Sequence, residues 1–462
     1  MKRSIDMTQG PLFTSMISYT IPIILTSLLQ LLFNAADMIV VGRFCGSISV
    51  AAVSTTGALT NLIINLFIGL SVGVGVSVAH ALGSKQHVIV HRIVHTAIPT
   101  ALIGGIFLTL VGVLFSDDFL KMMETPENVL PLSTIYMRIY FCGMTFNLVY
   151  NFSASILRAA GDTKSPLIHL TFSGIVNVVL NVFFVTVFHM NVAGVALATA
   201  ISQFISAILV VRTLIKRTDA CKLQLKKLKF YPPQLLKIIK IGLPAGIQSS
   251  LFSISNVIIQ SSINSFGSSA IISGNGASGN IEGFIYVIMN SFHQTAVNYV
   301  GQNLGAHRFD RIKKIVLYCL IDVTVCGIVF GPLARFFGES LLALYITDSL
   351  EAIQYGLIRL TYMAIPYFIC GIMDVSTGGL RGLGASITPM IVTILGACVF
   401  RIVWVYTIFQ IPAYHTLESL YLSYPLSWAL TFLVQIILFI FIFRHKRKLE
   451  QKKISLITNE GV

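Results

Sequence analysis

Charge is scarce in this sequence: Asp, Glu, Lys and Arg make up 11% of its 462 residues, whereas a soluble globular chain carries about a quarter. With 55% hydrophobic residues besides, water is excluded as the main solvent of the chain. Cysteine occurs seven times but never with CxxC spacing, which argues against a disulfide framework and a metal cluster and leaves the thiols as small interior residues. HExxH, an intramembrane aspartate pair and a Ser-His arrangement are also lacking, so neither an enzyme nor a cofactor is expected. The polar start, residues 1 to 14, runs into an apolar span without a small-residue cleavage site, and the first span is expected to stay in place.

What the sequence has instead is long apolar runs from end to end. Crossing the hydrocarbon layer takes roughly 20 apolar residues. Ile93 to Ser116, Val192 to Val211 and Ser419 to Phe443 each meet that length without one Asp, Glu, Lys or Arg. Read the same way throughout, the chain holds twelve such spans. Barrel strands would instead alternate weakly over about ten residues each. The expected fold is therefore an all-α integral membrane protein with twelve transmembrane helices.

Charge sets the orientation. Among the cations, only Arg43, Lys121 and Arg335 fall by the odd-numbered connections, where Asp117, Asp118, Glu124, Glu127, Glu339, Asp348, Glu351 and Glu418 gather. The positive-inside rule then places both termini in the cytoplasm and the protein in the cell membrane. The net charge of +14 does not imply nucleic acid, because the cations cluster beside span ends, as in Lys216 to Lys240 and Arg444 to Lys453. That pattern sets topology and favours contact with anionic membrane lipid.

The chain also repeats itself at an offset of about 222 residues. Ile21-Pro22 answers Leu243-Pro244, Leu82-Gly83 answers Leu304-Gly305, and Arg138 answers Arg359. Leu157-Arg158-x-x-Gly161-x-x-x-x-Pro166 returns as Leu380-Arg381-x-x-Gly384-x-x-x-x-Pro389. Six spans per half is an even number, so the halves form two pseudo-symmetric six-helix bundles in a parallel repeat. Transporters of this design expose substrate alternately by rocking one half against the other. The expected domains are a lobe over 1–215, a cytoplasmic basic linker over 216–240 with Pro232-Pro233 as a helix stop that permits a hinge or an interfacial segment, and a second lobe with its tail over 241–462. The two repeated arginines are expected at cytoplasmic span ends, capping helix carbonyls.

An ionised side chain at the bilayer centre costs about 2.5 to 3.5 kcal/mol on insertion scales, so each one needs a cavity, a partner or a task. Asp37, Glu282, Asp322 and Asp374 are such residues. Asn34 and Asp37 share a helix face by their i,i+3 spacing. With Asn177 and Asn181 on the fifth span and Thr199 and Ser202 on the sixth, they supply one carboxylate and several neutral oxygens, suited to a proton or a hard monovalent cation. In the second half Glu282 and His293 share a face of the eighth span, and Asp374 lies late in the tenth. A carboxylate in an apolar cavity can exchange protons or attract a cationic compound, so these three are candidates for substrate or proton contact. Asp322 has no assignment.

On these residues the chain resembles the multidrug and toxic compound extrusion (MATE) family, and its prokaryotic, DinF-like branch in particular. The likeness rests on the two six-helix halves, the IP and LP openings, Asp37-x-x-x-Val41-Gly42, Ala81-Leu82-Gly83 and Leu157-Arg158-Ala159-Ala160-Gly161-Asp162-Thr163-Lys164. The resemblance implies a coupling Na+ or H+ held by Asp37 with Asn177, Asn181 and Thr199. Some members carry a second aspartate where Asn181 stands, which leaves Asp37 the sole acid of the first lobe. Asp374 lies where an acid of the second lobe is expected, while Phe252 occupies the place of the seventh-helix glutamate of other members. The implied function is a secondary active antiporter that acts as a monomer and exports amphipathic organic cations. A flippase for lipid-linked oligosaccharide of the same superfamily is the alternative, for which only Arg138, Arg359 and Arg401 approach the cavity cations required.

Overall fold

The computed structural model describes residues 4–347 and 349–460; Asp348, one of the outer-face acids, lies outside the described residues. No strand occurs among the described residues. Among the described residues nine helices are long and apolar enough to cross a membrane, and a tenth span is a helix pair bent by 43°. The other two of the twelve expected segments are helical but miss on length or apolarity: one is interrupted at a glycine, and the other carries a row of polar residues.

The chain divides into two compact units, Met1–Asp6 with Ile17–Ser250 and Met7–Met16 with Leu251–Val462. The division falls inside a helix rather than in the basic connection between the two sequence halves.

Unit one is built from α1 (Leu12–Phe44), α2 (Ser47–Gly83), α3 (His87–Met122), α4 (Leu130–Cys142), α5 (Met144–Ala159), α6 (Lys164–Thr186), α7 (Asn191–Lys216) and the first half of α8 (Pro232–Asn264). The interrupted span is α4–α5, broken at Gly143. A Cβ there would meet the Ala200 backbone of α7 at 3.1 Å, so the missing side chain lets that helix approach. Another close crossing joins Gly69 and Gly73 of α2 to Gly242 and Gly246 of α8, where a Cβ on any of the four would strike the opposing backbone. Apolar lipid gives helices little hydrophobic reason to associate, so small residues at i,i+4 that let backbones touch supply the contact.

The basic connection is folded onto unit one. His95 on α3 hydrogen-bonds through Nδ1 to the His91 carbonyl (2.7 Å), and its Nε2 accepts from the Gln224 amide (3.0 Å). Thr96 Oγ1 accepts from the Tyr231 amide (3.2 Å). Pro232-Pro233 opens α8 instead of stopping a helix, since the first helical position needs no amide proton and suits the fixed φ of proline. Asp219 resists ionisation through burial, but the adjoining Arg217 guanidinium outweighs this and holds its pKa below the ordinary value. Burial likewise pushes the Cys221 thiol up to about 12. Because the thiolate is the nucleophile, Cys221 is expected to resist N-ethylmaleimide at pH 8 in the folded protein and to react after denaturation in SDS. Peptide mapping by mass spectrometry reads this directly, and rapid labelling of Cys221 in the native protein would show that the connection is not docked.

Unit two comprises the rest of α8, α9 (Ser269–Gly305), α10 (Phe309–Phe336), the short α11 (Gly338–Ala343), α12 (Leu350–Arg359), α13 (Tyr367–Gly382), α14 (Ile387–Thr393), α15 (Phe400–Tyr406) and α16 (Leu417–Glu460). The polar segment is α9, which carries Asn275, Asn280, Glu282, Asn290, His293, Asn298 and Gln302. The bent pair is α12–α13, joined through a π-helical turn, Leu360–Ala364. Its bend falls at Pro366, where the helix loses one amide donor. A second π-helical turn, Ile394–Val399, joins α14 to α15.

The internal repeat is visible in matching turns. Gly161 and Gly384 both have positive φ, +84° and +81°, a conformation that costs a residue with a Cβ. The Asp162 amide donates to Leu157 O (2.9 Å) and the Ala385 amide to Leu380 O (3.0 Å), the same helix-closing bond in each half. The arginines inside these two motifs are less alike. Tyr19 donates its hydroxyl to the Arg158 carbonyl (2.8 Å), while Arg381 is buried and its Nη1 donates to His293 Nε2 (3.3 Å). Arg381 thus turns toward an interior ring, where the sequence suggested a helix-end cap.

Candidate functional site

In unit one, three helices bring their polar residues to a single carboxylate. Asp37 sits on α1, Asn177 and Asn181 one turn apart on α6, and Thr199 on α7. Asn181 Nδ2 donates to Asp37 Oδ1 and to Asn177 Oδ1 (3.4 Å). Asn177 Nδ2 donates to Thr199 Oγ1 (3.3 Å). The single hydroxyl hydrogen of Thr199 is shared between Val195 O (3.0 Å) and Asp37 Oδ2 (3.4 Å). Asn177 and Asn181 are buried and Asp37 and Thr199 half-buried. An apolar cluster including Val40, Val41, Val185, Val192 and Val195 lies on the same helices, joined by Tyr136 of α4.

The set gathers one carboxylate, two amides and a hydroxyl, a composition able to accept a cation. Asn181 Oδ1 is buried and has no hydrogen-bond partner. Turning the amide over would point that oxygen at the Asp37 carboxylate, so the observed orientation is the favourable one. If the Thr199 hydroxyl gives its hydrogen wholly to Val195 O, a lone pair is released toward the carboxylate. Asp37 and Thr199 then present oxygens, the donor type a hard cation takes, while Asn181 keeps its Nδ2 on the carboxylate. No group of three His, Cys, Asp or Glu that could hold a metal ion occurs among the described residues, and one carboxylate matches one positive charge. Asn34, one turn before Asp37, is exposed and makes none of these bonds; the structure does not bring it into the set.

In unit two the expected residues separate into two arrangements. Glu282 on α9 is 3% exposed and receives two hydrogen bonds from Arg359 of α12, Nε to Oε1 at 3.0 Å and Nη2 to Oε2 at 2.7 Å. Arg359 Nη1 also donates to Asn275 Oδ1, which accepts from Tyr421 as well (3.1 Å). Asn275 Nδ2 in turn donates to Gln260 Oε1 (2.8 Å). The carboxylate of Glu282 is thus matched by a fixed counter-ion, the bidentate geometry that arginine forms best.

The second arrangement joins α9 to α13. His293 Nδ1 donates to the Asp374 backbone carbonyl (2.7 Å), and its Nε2 accepts from Arg381 Nη1. A carbonyl can only accept and a guanidinium can only donate, so the ring is neutral with its hydrogen on Nδ1. Both nitrogens of His293 are committed to neighbours. The Asp374 carboxyl, in contrast, has a buried Oδ2 without a partner. Asp322 on α10 likewise has a buried, unpartnered Oδ2.

Sequence reading did not find Arg359 as the partner of Glu282, although their matching charges within buried spans offered a signal. It also left the surroundings of Arg401 undescribed. That residue is fully buried, donates Nε to Ser427 Oγ (2.9 Å) and packs against aromatic rings.

A MatE family model matches residues 22–183 and 244–407, one stretch in each half. The chain is 28% identical over 407 residues to the "Probable multidrug resistance protein YpnP" of Bacillus subtilis, covering 86% of this chain and 89% of that protein. It is 23% identical over 398 residues to the "Multidrug export protein MepA" of Staphylococcus aureus, with coverage of 86% and 88%. In fold it resembles the crystal structure of MATE in complex with MaL6, with a TM-score of 0.90 at 19% identity, covering 97% of this chain and 100% of that one.

Proposed function

Since this chain belongs to the MatE family, we propose that it is a secondary active efflux antiporter of the cell membrane, exporting amphipathic organic cations in exchange for Na+ or H+. The observation that carries the proposal is the Asp37 set: one interior carboxylate with two amides and a hydroxyl from α6 and α7 around it, and an amide oxygen left without a partner. A lone carboxylate in an apolar bundle is stabilised when a cation neutralises it. Entry of Na+ or H+ at Asp37 and departure of the exported cation are then alternate halves of one cycle. Asp37 is the one carboxylate of this set, so the set takes up one positive charge at a time.

For unit two we assign the exchangeable role to Asp374, whose Oδ2 is buried without a hydrogen-bond partner. His293 and Arg381 hold its backbone and surroundings. Glu282 is a structural anchor, neutralised by Arg359. Both termini lie in the cytoplasm, as the cation distribution requires. The names of the relatives speak of drug resistance and export, and the flippase alternative loses ground because Arg359 is spent on Glu282.

The test uses purified protein in liposomes loaded with ethidium, with the membrane potential clamped to zero. A Na+ gradient and a pH gradient are imposed separately. One of the two is expected to drive ethidium movement against its own gradient. Movement indifferent to both would overturn antiport.

A further inference from the structure

Unit two contains a buried cation for which the export of cations gives no use. Of its interior arginines, Arg359 is paired with Glu282 at 2.7 Å and Arg381 donates to His293. Arg401 on α15 is 0% exposed and appears in no ion pair among the described residues. It makes one hydrogen bond, Nε to Ser427 Oγ of α16. Its Nη1 and Nη2 are buried without an acceptor.

The guanidinium is enclosed by aromatic faces. Its Cζ lies 4.0 Å from the Tyr424 ring centroid, 5.1 Å from that of Phe252 and 5.7 Å from that of Trp428. These rings stabilise the charge over its faces but leave the in-plane donors unanswered. Trp428 has the same shortage: it is 2% exposed, and its Nε1 donor is buried without a partner. The other tryptophan, Trp404, has given its Nε1 hydrogen to Ser419 O (3.1 Å). Three donor groups without acceptors therefore meet in one aromatic box, where a buried donor is ordinarily satisfied. The planar fork of arginine fits two oxygens of a carboxylate or phosphate, and the rings fit an apolar body attached to them.

We propose that Arg401, with Trp428, is an oxyanion receptor in unit two, so that the compounds handled include amphipathic acids and zwitterions as well as cations. The substrate class rests on the export reading above; the receptor does not. In this structure the Nη atoms are shielded from solvent, and an entering oxyanion has to part Arg401 from the Tyr424 ring. The π-helical turn Ile394–Val399 immediately before α15 holds the surplus residue that allows this segment to change register.

The experiment is equilibrium binding by calorimetry to the full purified chain in uncharged detergent, with a matched pair of probes, 1-naphthylacetate and 1-naphthylmethylammonium. Wild type is expected to bind the acetate, and Arg401→Met to bind it ~10–100-fold more weakly, the value of lost charge-assisted hydrogen bonds. Arg401→Lys, which keeps the charge but not the fork, should fall between, and the ammonium should not weaken in either variant. If Arg401→Met does not fold, Trp428→Phe keeps a ring while removing one donor, and a weaker acetate affinity is still expected. No acetate binding by wild type, equal acetate binding by wild type and variants, or equal loss of both probes overturns the receptor. Adding phosphatidylglycerol to the micelles distinguishes the source of the oxyanion: competition that disappears in Arg401→Met identifies a lipid phosphate, and its absence a soluble acid, each being recognition at the same fork. Acetate binding without gradient-driven ethidium movement would sink antiport alone, and the converse would sink the receptor alone.

Discussion

Replacing Asp37 with asparagine is expected to reduce ion-driven accumulation of an organic cation to the level of protein-free liposomes. A tenfold ion gradient is worth about 1.4 kcal/mol, so one-for-one exchange supports about tenfold accumulation in wild type. In Asp37→Asn the ratio should return to about one. The substitution keeps the shape and an oxygen for the Asn181 amide to meet, but it removes the charge of the set that an entering cation would neutralise. Passive binding of ethidium and the unfolding temperature should change little, because Asp37 is only half-buried and forms no ion pair among the described residues. Thr199→Ala should weaken coupling partially, as it takes away one of several oxygens. Full gradient-driven accumulation by Asp37→Asn would sink the assignment and move the coupling acid to Asp374.

The second large effect is on stability. Glu282 and Arg359 form a bidentate pair deep in unit two, with side-chain exposures of 4% and 14%. Removing either partner leaves a buried charge unmatched, at a cost of about 3–5 kcal/mol. Glu282→Gln and Arg359→Met are therefore each expected to lower the unfolding temperature of the protein in detergent markedly. Combining them should recover most of the loss, because the uncharged pair leaves no orphan charge. Additive losses in the double variant would show that the two residues act independently. The same series separates two roles for Glu282: a substrate-bearing acid would lose transport in Glu282→Gln with stability intact, whereas the anchor loses stability first.

Much of this organisation was legible in one dimension. Apolar run length specified helices in lipid, and the recurrence of Leu157-Arg158-x-x-Gly161 as Leu380-Arg381-x-x-Gly384 marked two copies of one plan, later seen as the same turn with the same hydrogen bond. The Asp37 set was legible because α6 and α7 are consecutive and pack closely, so i,i+4 spacing on one faces the other. The partner of Glu282 was not legible. Its partner lies 77 residues away on α12, and charge alone does not say which of several buried cations will face it. Pro232-Pro233 read as a hinge because proline stops a helix from inside, yet it starts one equally well; which applies depends on whether the preceding residues dock, here through His95 and Thr96.

By itself, then, the sequence determined the solvent, the helical class, the duplication and the helix faces that carry the interior polar residues, since each follows from composition or from spacing along one helix. Only the tertiary structure decided which polar groups are spent and which are left over. Glu282 is matched by Arg359, His293 is closed by Asp374 and Arg381, and Asn181 Oδ1 and the Arg401 fork have no partner. The physical reason is that satisfaction of a buried polar group depends on atoms brought within about 3 Å by packing, and helices distant in sequence meet through side-chain shape, which linear periodicity does not encode.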